Sequence, residues 1–190
     1  MSRLPIEEIR RRFESAKEFN EIFDAFGQAL EQQIDDIELY RLLFWNPTLT
    51  PDELCLFSEK LAREFPHVAY DAYMWLASVF AVTYSMFDNY ELALAYYQKA
   101  AAARPSAPDP YLDAADCHEP DLNIPPLSQL ISFLKAGIRH VPEPLALYVK
   151  LAHLYELDGN DEMNKYFRMK ANEGHQPSSP EESPPLPPAE

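Results

Sequence analysis

The sequence predicts an all-α chain built from antiparallel helix pairs, and three observations carry that expectation. Only four of 190 residues are glycine, too few for the tight hairpins and phosphate-cradling loops of sheet folds and nucleotide sites. Proline and short polar clusters cut the chain into helix-length intervals, at Asn46-Pro47-Thr48, Phe65-Pro66, Phe87-Asp88-Asn89, 104–110, 119–126, 141–144 and Asp158-Gly159-Asn160. Small and aromatic residues recur with a period of about 34, the length of one helix pair with its turns.

Taken in order, residues 1–34 place Ile9, Phe13, Ala16, Phe23, Phe26, Leu30 and Ile34 close to three-and-four spacing. That pattern predicts an amphipathic leading helix, broken near Gly27, whose apolar face could also join two copies in a homodimer. A short helix follows over Ile37 to Trp45. Thr50-Pro51-Asp52-Glu53 then starts the next one, with Thr50 as N-cap, proline at the first helical position and Glu53 closing a capping box. Residues Ala72 to Phe87 contain no charge. A bilayer span needs about 20 residues, so this stretch of sixteen reads as a central buried helix, with no membrane insertion.

Three units then repeat. The first has Ala77, Phe80, Ala81 and Tyr84 on one helix and Ala93, Tyr97 and Ala100 on a second, closed by Pro105. Small residues at Ala81 and Ala93 let the two helices approach, and the rings fill the space beside them. The second has Tyr111, Ala114, Ala115 and His118, then Leu130, Leu134, Gly137 and Pro142, with three extra residues in the loop 118–126. The third begins at Tyr148, Leu151, Ala152, Tyr155 and Gly159 and ends in a more polar helix through Met163, Phe167 and Ala171, as suits a capping element. The spacing resembles the tetratricopeptide repeat (TPR) pattern. It implies a TPR-like superhelical array over residues 35–173, with three clear repeats and a degenerate one formed by Ile37 to Trp45 and Pro51 to Phe65. From 174 to 190, six residues are proline and three acidic, a composition that predicts a disordered or polyproline-like tail.

Within that superfamily, Pro110-Tyr111-Leu112-Asp113-Ala114-Ala115-Asp116-Cys117 resembles the third-repeat segment of the class II chaperones of type III secretion systems. Ile37-Glu38-Leu39-Tyr40-Arg41-Leu42-Leu43-Phe44 is similar to that family's first repeat helix, in which a tyrosine and a phenylalanine line the peptide groove. The resemblance implies a non-catalytic, cytoplasmic chaperone that holds an extended apolar segment of a translocator-type client. In such a stack the first helix of each pair lines the concave face. The register then nominates Tyr40, Phe44, Trp75, Ser78, Val82, Leu112 and Asp116 as partner-binding residues, with packing between repeats as the competing role for the aromatic ones. Pro184-Pro185-Leu186-Pro187-Pro188 also resembles the segments such grooves bind, so the tail is a candidate competitor for the client. The wider alternative is a general TPR scaffold in a multiprotein assembly.

Composition excludes other classes. Thirty-one acidic against 16 basic residues give a net charge of −15, which repels nucleic acid and anionic lipid. Ser78, Val82, Asp109 and Asp113 replace the basic residues that a carboxylate-clamping TPR groove needs. Five scattered His and two distant Cys, Cys55 and Cys117, suggest neither a disulfide framework nor a metal site, and no cofactor is expected. Cys117 beside His118 points about 100° away from it on a helix, so the pair reads as packing.

Overall fold

A computed structural model describes residues 3–83 and 87–173. Its ten α-helices are α1 (Ile6–Ser15), α2 (Phe19–Glu31), α3 (Ile37–Phe44), α4 (Pro51–Glu64), α5 (Ala69–Thr83), α6 (Phe87–Ala103), α7 (Asp109–Asp116), α8 (Leu127–Ile138), α9 (Leu145–Leu157) and α10 (Asp161–Glu173). The described residues hold no strand beyond one isolated bridge, Glu119 to Ile124, in the α7–α8 loop. Tyr84 and the tail 174–190, both named above, lie outside the described residues. α6 already begins at Phe87, so Phe87-Asp88-Asn89, expected as a break, lies in its first turn.

The three expected units are three helix pairs: α5 with α6, α7 with α8, and α9 with α10. Ala77, Phe80, Ala93 and Ala100 are fully buried at the first pair, and the rings of Phe80 and Tyr96 meet at 5.8 Å between centroids. In the last pair Tyr155 and Phe167 stack at 5.7 Å, and Asn164 Nδ2 donates to the Ala152 carbonyl at 2.7 Å. One core cluster runs without interruption from Ile9 to Phe167.

The N-terminal third departs from the expectation in two ways. The leading region breaks at residues 16–18 rather than at Gly27, which sits inside α2 with nothing near its missing Cβ. The break is held from a distance: Asn46, 2% exposed, donates through Nδ2 to the Phe13 and Ala16 carbonyls at 2.9 and 3.1 Å. It thereby satisfies acceptors that the end of α1 would otherwise leave unpaired. Secondly, α3 lays its length on α1 and α5, while α4 packs on α5 and α2, so the degenerate unit is not a simple hairpin.

The start of α4 follows the sequence. Thr50 N donates to Glu53 Oε2 at 2.7 Å and Glu53 N to Thr50 Oγ1 at 3.3 Å, a complete capping box worth about 1 kcal/mol.

The proposed dimer face is also accounted for. Ile9, Phe13, Ala16, Phe26 and Leu30 are all buried against α3 and α4 of the same chain. Ile34 is half-buried and Phe23 alone of the seven stays 39% exposed, so most of that face is occupied within the chain.

Candidate functional site

The first helices of the three pairs, α5, α7 and α9, carry one repeating register. On α5 it passes through Trp75, Ser78 and Val82, and on α7 through Asp109, Leu112 and Asp116. Counting the three extra loop residues, it continues on α9 through Ala146, Val149 and His153. Trp75, Ser78 and Leu112 are half-buried, and Val82, Asp109, Asp116, Ala146, Val149 and His153 are exposed. Val82 is 66% exposed and Val149 55%, high for apolar side chains on helices whose opposite faces are core.

Neighbouring helices are tied together along this surface. Lys150 of α9 pairs with Asp116 of α7, and the Tyr70 hydroxyl of α5 donates to Asp109 Oδ2 at 3.2 Å. At its N-terminal edge the Arg41 guanidinium lies 5.2 Å from the Trp75 ring centroid, an arrangement that fixes the indole plane. Ser78 Oγ donates to the Met74 carbonyl at 2.9 Å, so its hydroxyl is already engaged within α5.

Asp113 stands half-buried between Asp109 and Asp116. Its carboxylate has no hydrogen-bond or ion-pair partner among the described residues. Burial, followed by the two neighbouring carboxylates, raises its pKa above the ordinary 3.8. The ionised form is therefore a cost to the fold, present in full above the raised pKa and lost as pH falls below the ordinary value. We expect Asp113→Asn to raise Tm slightly at pH 7 and to leave it unchanged near pH 3, as thermal melts across pH will show.

Two of the seven predicted residues are not part of the surface. Tyr40 is fully buried and Phe44 1% exposed. The Tyr40 hydroxyl donates to the Ile34 carbonyl at 2.7 Å, and its ring lies 5.9 Å from both Phe13 and Phe26. The α1–α2 pair covers the side of α3 that a groove would have left open. Two residues that the sequence reading missed are Val149 and His153. The signal was present, since the three-residue insertion brings them into register with Leu112 and Asp116.

Cys117 and His118 serve packing and a loop contact instead of this surface. Cys117 is 8% exposed, and burial pushes its thiol up to about 11, with a hydrogen bond from Tyr97 opposing. Such a thiol is almost wholly protonated at neutral pH and a poor nucleophile. His118 Nδ1 contacts the Pro125 carbonyl at 2.9 Å and so anchors the α7–α8 loop. No group of three or more His, Cys, Asp or Glu among the described residues could hold a metal ion, and no described helix is long and apolar enough to cross a membrane.

No family model matches the chain, and no curated protein is similar enough to count as a relative. Solved structures do resemble it. A crystal structure of the MamA protein superimposes with a TM-score of 0.53 at 18% identity, covering 96% of this chain and 98% of that one. A second MamA crystal structure gives 0.50 at 18% identity, over 87% and 92%. The likeness is one of fold, and the fold is a TPR-like all-helical array.

Proposed function

We propose that this chain is a non-catalytic protein-binding module whose partner lies along α5, α7 and α9. The observation that carries the reading is the exposure of Val82 and Val149, on the face that a TPR-like stack turns inward. With the half-buried Leu112 and Trp75 they form an apolar strip, and Asp109, Asp116 and His153 stand beside it. Such a strip suits an extended or helical segment that inserts apolar side chains and meets polar groups at the rim. The general scaffold reading needs nothing more.

The narrower reading, a cytoplasmic chaperone for a translocator-type client, rests on the Ala114-Ala115-Asp116-Cys117 segment. Of those four residues, Ala114, Ala115 and Cys117 are buried packing and Asp116 faces outward. The segment thus supports the reading mainly through the helix contact it makes. The two aromatic groove residues that the reading also used are core, which favours the scaffold.

The double substitution Val82→Asp/Val149→Asp tests the site. Both positions are exposed, so the fold should persist with an unchanged melt, while partner binding should weaken by about tenfold or more, roughly 1.4 kcal/mol. Binding that survives the pair unaltered would move the partner to another surface.

A further inference from the structure

A second surface lies away from the inner face. A groove of about 750 Å³ runs beside α4 and is lined by Phe23, Cys55, Leu56, Lys60, Arg63 and Tyr73 among others. Phe23 is 39% exposed and Leu56 46%, so two large apolar side chains face the opening. The Lys60 ammonium lies 5.8 Å from the Phe23 ring centroid. Neither Lys60 nor Arg63 has an acidic partner among the described residues, whereas Glu59 in the same groove is taken by Lys99. Asp52 stands at the far end, in the first turn of α4. The C-terminal half of α4 therefore offers two cations without an acidic partner beside an apolar floor, on a chain whose net charge is −15. Charge more than about 8 Å away is screened at physiological salt, so these two cations set the local preference for an anionic occupant.

We propose that residues 174–190 of the same chain bind this groove, with Leu186 on Phe23 and Leu56 and with Glu181 and Glu182 facing Lys60 and Arg63. The composition fits: the segment holds three acidic residues, no Lys or Arg, and one large apolar side chain between two proline pairs. A proline-rich segment also loses little conformational freedom when held extended. The topology fits as well. Cys55 meets Tyr96 and Glu59 meets Lys99, so α4 and α6 run in the same direction. The chain reverses at each later turn, which brings the end of α10 to the edge where Lys60 and Arg63 lie. Three helix spacings of about 10 Å separate α4 from α10, and an extended proline-rich chain reaches Leu186 from Glu173 over about 40 Å.

The test uses full-length protein and the alkylation rate of Cys55 by iodoacetamide, resolved by peptide mass spectrometry, with the buried Cys117 as internal reference. In the unaltered chain Cys55 should label about threefold slower than in Glu181→Lys/Glu182→Lys/Leu186→Ser. Lys60→Glu/Arg63→Glu should give the same gain. Carboxylates added beside a thiol would by themselves slow labelling, so a gain reports the lost occupant. Combining Lys60→Glu/Arg63→Glu with Glu181→Lys/Glu182→Lys, Leu186 retained, should restore protection. Equal rates in the unaltered chain and the tail variant would overturn the proposal. So would protection that appears only as protein concentration rises, because the occupant would then be a second copy.

Discussion

Phe57→Ala should lower stability by about 3–5 kcal/mol, the largest loss expected from a single truncation in the N-terminal half. Phe57 is fully buried, and its ring lies 4.8 Å from Phe26, 5.9 Å from Phe19 and 6.3 Å from Phe23. All three partners belong to α2, so this one side chain joins α4 to the leading helices. Removing it leaves a cavity that rigid rings cannot collapse to fill. For a chain of this size the loss corresponds to a fall in Tm of roughly 10 °C. A thermal melt checks it, and Phe57→Leu should recover more than half of the loss. A fall of only a degree or two would mean that α1 and α2 are not part of the same cooperative core.

Gly137→Ala should destabilise by about 1–3 kcal/mol, although replacing glycine by alanine inside a helix ordinarily gains up to about 1 kcal/mol. The sign is reversed by the neighbours. A Cβ built at Gly137 would stand 2.8 Å from Leu147 Cδ2 and from Cγ and Cδ1 of Tyr111. The leucine methyl can swing aside, but the Tyr111 ring cannot. It is 3% exposed and packs 4.7 Å from the Phe133 ring, and its hydroxyl donates to the Pro105 carbonyl at 3.2 Å. The glycine thus sets how closely α8 approaches α7 and α9. Urea unfolding of the variant will show the midpoint move, and Gly27→Ala, with open space around the added carbon, serves as the opposite control.

Much of the array was legible in the sequence because its signals are local. Prolines and polar clusters ended most of the helices, the capping box at Thr50 formed as its spacing predicts, and of the two small residues expected to let α5 and α6 approach, Ala93 is fully buried and Ala81 half-buried. The period also carried the proposed binding surface as far as Val82, Leu112 and Asp116. What could not be read depended on contacts between distant segments. The break after α1 is stabilised by Asn46, thirty residues away from the Ala16 carbonyl it satisfies, and nothing in residues 16–18 announces it. Tyr40 and Phe44 fall on a helical stripe that looks the same whether groove or core covers it. Only the position of α1 and α2 decides that question. Likewise, the groove beside α4 needs α2 and α5 in place before Phe23, Leu56 and Lys60 come together.

The central claim is that α5, α7 and α9 present a protein-binding face. Quantitative co-purification with full-length protein tests it most directly, comparing the unaltered chain with Val82→Asp/Val149→Asp after both have given the same thermal melt. A partner protein recovered stoichiometrically with the unaltered chain and depleted at least about tenfold with the variant is the predicted result. Equal recovery of the same partner with both proteins would contradict it.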